Sequence, residues 1–294
     1  MLSFSQPRSA GIKFELLWLL AKVAQKSRLR GIERLIPLVY PLEKRRDYHL
    51  EVTIEYDTNL LINIDTASFV EYSIFFYGYF EPEISGLIKR VFRPGFVAFD
   101  IGANIGCQTL IMALYAGEKG QVIAIEPHPK ICARLIDNIR LNRLKNVQVL
   151  QCGLSNVTGE EILHCAPDDY PNQGVSSLYS GSVLNVEVPI QVQTLDNIMQ
   201  AGTYNRLDFV KIDTQGSDYN ILLGAIQSIG IYKPYLLFEY EVNEWTRAKA
   251  DFSVCDDLLT RQGYTLYVLR RRGLDKVKNG LPHFANILAL PPFV

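Results

Sequence analysis

The sequence predicts an α/β fold built on a doubly wound, mostly parallel sheet. The first observation is the apolar run Phe96–Asp100, which ends in a carboxylate and is typical of a strand buried on both faces. The second is the bend after it, where Gly102 and Gly106 let the backbone turn sharply before a helix over residues 105–116. The third is a later apolar run, residues 208–213, which also ends in a carboxylate, Asp213. Ligands of open α/β sheets bind at the carboxyl ends of strands, so these segments predict a binding crevice.

Length and composition limit the function classes. The chain has 294 residues, of which 48% are hydrophobic and 21% are charged, enough for one large α/β domain with appendages. A net charge of −1 gives no electrostatic argument for a nucleic-acid partner. The five cysteines form no C-x-x-C pair, which suits a reducing compartment and predicts a cytoplasmic location.

Residues 1–94 are expected to form an N-terminal extension with a helix, a β-hairpin and an aromatic-rich cap. Basic residues outnumber acidic ones by ten to four over residues 1–50. The apolar run at residues 14–20 is too short to span a bilayer, so an amphipathic helix is expected. That helix packs on the domain or on a second subunit of a homodimer, or residues 11–30 contact an anionic membrane surface.

The remaining elements follow from periodicity. Residues 48–65 alternate and contain turn residues at 57–59, which predicts a hairpin that caps one edge or mouth of the main domain. The main domain, residues 95–294, is expected to contain strands at 96–100, 122–126, 147–152, 208–213, 235–240, 264–269 and 286–290. Helices are expected at 82–91, 105–116, 129–142, 218–229 and 244–262. The insertion at 157–208 lies beside the crevice and is interpreted as a cap over an acceptor site.

The bend itself indicates which nucleotide binds. A dinucleotide fingerprint needs a glycine where Asn104 stands, because the pyrophosphate approaches the backbone closely. Glu126 ends the next strand 24 positions after Gly102, near the distance at which an acid meets ribose hydroxyls. A ribose without a phosphate clamp favours S-adenosylmethionine over NAD. An NAD-dependent oxidoreductase stays open as an alternative on these residues alone.

Three segments carry a resemblance to a known family: Phe99-Asp-Ile-Gly-Ala-Asn-Ile-Gly106, Ala124-Ile-Glu-Pro-His-Pro129 and Val210-Lys-Ile-Asp-Thr-Gln-Gly216. In their order and spacing they resemble the FkbM family of class I S-adenosylmethionine-dependent methyltransferases. Supporting matches are Tyr77-Gly-Tyr-Phe-Glu-Pro82, Ser176-Ser-Leu178 and Thr194-Leu-Asp196. The resemblance implies a seven-stranded, Rossmann-like methyltransferase sheet and S-adenosylmethionine as the cofactor.

The resemblance and the strand ends together give the candidate site residues. Those expected to bind the cofactor are Asp100, Gly102, Asn104, Gly106, Glu126, Ser155, Asn156 and Asp213. The catalytic candidates are Asp213 as first choice of general base, then Glu239 and His128. Those expected to meet the acceptor are Tyr77, Tyr79, Glu81, Tyr170, Asn172, Ser176, Gln215 and Asp218. No residue set is assigned to a metal.

The function expected from the resemblance is O-methylation of a hydroxyl on a sugar, a glycan or glycolipid, or a secondary metabolite. The partner is therefore a small-molecule or carbohydrate acceptor. A catalytically silent scaffold on a membrane surface is the alternative from a different functional class.

Overall fold

The computed structural model describes residues 12–27, 36, 40, 49–57, 59–167, 170, 176–181, 183–202, 204–278 and 280–292. Within them the helices are α1 Ile12–Ser27, α2 Phe69–Tyr77, α3 Pro82–Val91, α4 Cys107–Ala116, α5 Pro129–Leu141, α6 Leu195–Ala201, α7 Asp218–Leu223, α8 Ile226–Tyr232, α9 Val242–Arg247 and α10 Phe252–Arg261. The strands are β1 Glu51–Tyr56, β2 Leu60–Asp65, β3 Val97–Ile101, β4 Gln121–Ile125, β5 Val147–Leu150, β6 Gly153–Leu154, β7 Gly159–Cys165, β8 Ser176–Ser177, β9 Val186–Gln193, β10 Phe209–Ile212, β11 Tyr235–Glu241, β12 Thr265–Arg270, β13 Gly273–Lys276 and β14 Phe284–Leu290.

The central sheet confirms the predicted α/β class but has one more strand than expected. Its eight strands run in the order β13-β12-β14-β11-β10-β3-β4-β5. Pairs from β5 through β11 are parallel, whereas the pairs that involve β14, β12 and β13 are antiparallel. The extra strand, β13, arises because the basic segment after β12 turns back and pairs with it, Arg270 opposite Gly273. The sheet is therefore mixed and eight-stranded.

The strand order places a topological switch point between β3 and β10. The chain goes from β3 to β4 on one side, and it later returns to place β10 on the other side of β3. Such a reversal opens a crevice at the carboxyl ends of the two strands. The register sets Lys211 of β10 opposite Asp100 of β3, so both side chains lie near that opening.

The N-terminal extension packs on this sheet through its hairpin and through α1. The β1–β2 hairpin is tied to α5, since the side chain of Asn142 donates to and accepts from the Leu61 backbone at 2.6 and 2.7 Å. Helix α1 packs on α2, where Gln25 Nε2 donates to the carbonyl of Phe75 at 2.7 Å. Among the described helices, none has the length and hydrophobicity needed to cross a bilayer.

The insertion and the later helices differ in detail from the prediction. The insertion forms a second, four-stranded sheet in the order β6-β9-β7-β8. The helix expected at 218–229 is broken into α7 and α8, and the one expected at 244–262 into α9 and α10. At the first break the Gly224 carbonyl accepts from the Asp196 N–H at 3.0 Å and the Ser228 N–H donates to Asp196 Oδ1 at 2.8 Å, so these two backbone groups bond to Asp196 instead of to each other. The second break contains Lys249 in a left-handed conformation, with φ 54°.

Candidate active site

A cavity of about 270 Å³ lies where β3, β4, β10 and β11 end. Nine of the residues predicted from the sequence line it: Glu81, Asp100, Gly102, Asn104, Glu126, Ser176, Asp213, Gln215 and Glu239. They come from four strand ends, from the start of α3 and from the insertion. The fold therefore brings distant parts of the sequence to one place.

The bend after β3 is tight because β10 presses against it. Gly102 has φ 76°, and a Cβ there would lie 1.9 Å from the carbonyl oxygen of Asp213. Asn104 also has a left-handed backbone, with φ 51°. Its Oδ1 accepts a hydrogen bond from the Ile105 N–H at 2.7 Å, so this side chain stabilises its own bend.

Glu126 holds the bend from the neighbouring strand. It is 5% exposed, and its two carboxylate oxygens accept from the backbone N–H groups of His128 at 3.0 Å and Asn104 at 2.9 Å. Burial, opposed by these two hydrogen bonds, raises the pKa of Glu126 to about 7. A carboxylate that accepts one N–H on each oxygen keeps further lone pairs for a ligand.

Lys211 is the central charged residue that the sequence reasoning left without a role. It is 3% exposed, and its Nζ donates to Asp213 Oδ2 at 3.1 Å and lies 3.6 Å from Asp100 Oδ1. Burial alone would lower the pKa of Lys211, but Asp213, Asp100 and Glu81 raise it above its usual value. The sequence does contain a signal: a lysine inside the apolar run Phe209–Ile212 must meet carboxylates if that run is a buried strand.

Asp100 is fully buried beside this lysine. Its Oδ2 accepts from the hydroxyl of Thr109 at 2.5 Å, whereas its Oδ1 has no hydrogen-bond partner among the described residues. Because a buried carboxylate oxygen without a donor is costly, this atom is a natural contact for a bound ligand.

Two further carboxyl groups face the same cavity. Glu239 Oε2 accepts from Gln215 Nε2 at 3.2 Å, and burial together with Asp213, Asp218 and Glu81 raises the pKa of Glu239 to about 10. Burial and the Asp213 carboxylate likewise raise the pKa of Glu81 to about 8. Lys211 opposes both shifts. At neutral pH these two groups therefore favour the protonated form.

Backbone strain is concentrated here. Eight described residues other than glycine have positive φ, and five of them, Asp57, Asn59, Arg143, Lys233 and Lys249, lie in the hairpin turn or just after helices. The other three, Glu81, Asn104 and Gln215, all line the cavity. Strain that collects in one cavity is typical of functional sites, where the surrounding structure holds side chains in set positions.

The insertion contributes one wall. The hydroxyl of Ser177 donates to the carbonyl oxygen of Gln215 at 2.7 Å, which ties β8 to the turn after β10. Apolar side chains complete this wall: Cys152, Leu154, Leu163, Leu178 and Ile190.

Other predicted residues lie outside the cavity lining in the part of the chain that the structure describes: Tyr77, Tyr79, Gly106, His128, Ser155, Asn156, Tyr170 and Asp218. Asn172 falls outside the described residues. Cys152, Gly153 and Leu154 line the cavity where Ser155 and Asn156 were expected. The Ser155 N–H donates to the Gln193 carbonyl at 3.0 Å, which directs the chain at Ser155 toward β9.

Two of these displaced residues have clear packing roles. Asp218 is buried and accepts from the Thr214 hydroxyl at 3.1 Å and from the Glu239 N–H at 3.2 Å, so it braces the strand ends. Burial, with the Asp213 charge, raises the pKa of Asp218 to about 6. Gly106 has φ 99° and packs closely against Leu135 of α5, so it serves the bend rather than the lining.

A sequence model described as Methyltransferase FkbM domain matches residues 100–266, more than half of the chain. No curated protein sequence matches the chain.

Similar solved structures include an FkbM methyltransferase from Methylobacillus flagellatus KT, with 17% identity and a TM-score of 0.43 over 88% of this chain. This chain spans 59% of the length of that protein. TYW2 of M. jannaschii in complex with AdoMet has 14% identity and a TM-score of 0.44, over 81% of this chain and 84% of that one. A precorrin-6y C5,15-methyltransferase from Geobacter metallireducens GS-15 has 12% identity and a TM-score of 0.40, over 71% and 85% of the two chains.

Proposed function

The chain belongs to the FkbM methyltransferase family, and on that premise we propose that it methylates a hydroxyl oxygen of a sugar, a glycan or glycolipid, or a secondary metabolite. Its cofactor is S-adenosylmethionine. The observation that carries the proposal is the Asp213 carboxylate, which lines the cavity beside the strand-end bend and accepts a hydrogen bond from Lys211. Membership of a methyltransferase family argues against the NAD-dependent alternative.

The residues of the cavity fit this cofactor. Glu126 offers buried carboxylate oxygens of the kind that accept ribose hydroxyls, and the bend that carries Gly102 and Asn104 lines the cavity beside it. The wall formed by Leu154, Leu163 and Ile190 suits a flat purine ring. The Asp100 Oδ1 atom without a hydrogen bond suits a cationic group. These four contacts are the binding roles that we propose.

The bound cofactor supplies an electrophilic methyl group on a sulfonium. The protein must align the acceptor hydroxyl with that group and remove its proton. Asp213 is the proposed base, because it is partly accessible from the cavity, with a side chain 28% exposed, and is oriented by Lys211. Glu239 ranks second, since its carboxyl group is held by the Gln215 amide at 3.2 Å and has no cation to orient it among the described residues. His128 ranks third, because it lies outside the cavity lining among the described residues.

The test uses methyl-labelled S-adenosylmethionine and an extract of small molecules and lipids. Asp213→Asn should lower the rate of label transfer by about a hundredfold or more, the scale expected for loss of a general base. Calorimetry should show that the variant still binds the cofactor. Asp137→Asn is the matched control, because the Asp137 side chain is 64% exposed on α5. Unchanged transfer by Asp213→Asn would contradict the assignment of the base.

Further parts of the proposal concern location and partners. The insertion at 157–208 caps the acceptor, and the enzyme works in the cytoplasm. Helix α1 leaves Leu19 59% and Val23 48% exposed, and Lys22 lies over the Trp18 ring at 4.9 Å. Exposed apolar residues beside a basic one support contact of residues 11–30 with an anionic membrane surface. A homodimer through the same face is the competing use of these residues.

A further inference from the structure

The described lining of the cavity is strongly acidic. Its carboxyl groups are Glu81, Asp100, Glu126, Asp213 and Glu239, and its single ammonium group is that of Lys211. Lys211 is already engaged, since its Nζ lies 3.1 Å from Asp213 and 3.6 Å from Asp100. The described lining therefore has five carboxyl groups and one ammonium group, and that ammonium group lies close to two of the five, Asp213 and Asp100.

Three carboxyl groups are left over, and all three have neutral partners. Glu126 accepts from the backbone N–H groups of Asn104 and His128. Glu239 accepts from the amide of Gln215, and Glu81 bonds with the side chain of Asn286. The charged groups that face Glu81 are Asp213, Lys211 and Glu83, and those that face Glu239 are Asp213, Asp218, Glu81 and Lys211. Among the described residues, neither glutamate has a basic side chain at ion-pair distance. Half-buried carboxyl groups that face other carboxylates and lack a basic partner favour the protonated form, and a nearby positive charge favours their ionisation.

We propose that Glu81 and Glu239 make the cavity distinguish the sulfonium of S-adenosylmethionine from the neutral thioether of S-adenosylhomocysteine. In the unliganded protein both glutamates face the Asp213 carboxylate without a basic partner of their own, which favours the protonated form. The positive charge of the sulfonium favours ionisation, so a carboxyl O–H bond breaks and the proton goes to solvent as that ligand binds. The thioether brings no charge at sulfur, and the pair stays protonated. This inference rests on the proposed function.

Coulomb's law in a poorly hydrated site supports this distinction. A fixed charge acts more strongly on carboxyl groups that the protein partly shields from solvent than on exposed ones, even when it makes no direct contact. The two ligands have the same adenosine and amino-acid portions. Any proton released or taken up by the amino-acid portion is therefore the same for both and does not contribute to the difference in proton release between them. Asp100 Oδ1, buried and without a hydrogen bond, adds to the negative potential. After methyl transfer the positive charge is gone and the pair regains a proton, which favours release of the product.

The experiment is calorimetric titration of the full chain with each ligand, in phosphate and in Tris, between pH 7 and pH 9. We expect release of roughly one proton per S-adenosylmethionine and close to none per S-adenosylhomocysteine. The preference for the sulfonium should then increase with pH by up to about tenfold per pH unit. The preference increases with pH because the ionised pair binds the sulfonium better than the protonated pair does, and ionisation increases as pH rises.

Variants locate the effect. Glu239→Gln should reduce the difference in proton release and flatten the pH dependence of the preference, and Glu81→Gln should do the same in part. Glu118→Gln, at an exposed loop beyond α4, is the control and should behave as the parent protein. Equal proton release for both ligands, with a preference that does not change with pH, overturns the inference and leaves methyl transfer intact. Failure of the parent protein to bind either ligand would instead remove the proposed function. If Glu239→Gln does not fold, the parent protein alone decides between these outcomes.

Discussion

Lys211 lies in the middle of a buried strand, where an ammonium group is costly unless carboxylates surround it. Asp100 and Asp213 surround it, one from the paired strand and one from the end of its own strand. The three side chains are therefore interdependent, and loss of the cation leaves buried negative charge without compensation.

The first prediction concerns this lysine. Lys211→Met keeps the length and apolar stem of the side chain but removes the charge, and it should lower the free energy of unfolding by about 3–5 kcal/mol. Urea unfolding followed by circular dichroism measures the change. Lys119→Met, at an exposed loop position, should change stability by less than about 0.5 kcal/mol. A loss from Lys211→Met no larger than that of the control would show that the ion pairs are unimportant.

Sequence reasoning found the acids at strand ends but missed their cation. Asp100, Glu126 and Asp213 were predictable because an apolar run that ends in a carboxylate delivers that group to the carboxyl edge of a sheet. Lys211 stands within such a run rather than after it, so periodicity assigns it no site. Ser155 lies outside the cavity lining, because the direction of the chain after β5 depends on pairing with β9, which is about 40 residues away.

The bend between β3 and α4 illustrates how one element depends on the next. Its backbone passes so close to the end of β10 that no side chain fits at Gly102. The bend and the turn that carries Asp213 therefore set each other's position.

A glycine series should measure this dependence. Gly102→Ala combines a positive φ with a Cβ 1.9 Å from a carbonyl oxygen, so it should destabilise the protein by more than about 2 kcal/mol and weaken cofactor binding. Gly106→Ala meets only the flexible end of Leu135, at 2.8 Å, and should cost less.

The matched control for this series is Gly86→Ala in α3, where nothing lies within 4 Å of the new Cβ. It should stabilise by about 0.5–1 kcal/mol. Thermal unfolding and cofactor titration rank the three variants by stability and by cofactor affinity. A Gly102→Ala variant that matched Gly86→Ala in both measurements would refute the close-approach argument.

Most elements were predictable, and the exceptions have tertiary causes. Buried strands and amphipathic helices carry their own periodicity, which is why β3, β4, β10 and α5 match their expected bounds closely. At the break between α7 and α8, Gly224 and Ser228 form hydrogen bonds with Asp196, a distant contact that periodicity cannot show. The eighth strand forms by pairing of the exposed segment Gly273–Lys276, whose glycine, aspartate and lysine local propensity assigns to a loop.

The N-terminal extension and the sheet share one hydrophobic cluster. Ile62 of the hairpin and Phe76 of α2 belong to the same buried cluster as Leu110 of α4. Asn138 on α5 joins the two parts, since its side chain accepts from the Asn63 N–H at 2.8 Å and donates to the Ile105 carbonyl at 2.9 Å. Separate unfolding of residues 1–94 would expose this common core.

Calorimetry should therefore show one cooperative unfolding transition. Asn138→Ala removes the hydrogen bonds of this buried side chain to Asn63 and Ile105, and it should lower the melting temperature of that transition by several degrees without splitting it. Asn243→Ala, at an exposed position, should leave the temperature nearly unchanged. Two resolved transitions, the first of them sensitive to Asn138→Ala, would instead establish the division at residue 94 as a boundary between independent domains.

With the roles proposed for the insertion and for Asp213, the hydrogen bond from Ser177 to Gln215 would couple acceptor choice to the rate of turnover in evolution. Ser177 belongs to the insertion, whereas Gln215 follows Asp213 by two positions. A lineage that acquires a new acceptor by altering the insertion would also change the position of the Asp213 side chain. Chimaeras that exchange residues 157–208 between relatives should therefore retain the serine, and those that lose it should gain new acceptors only with slower catalysis.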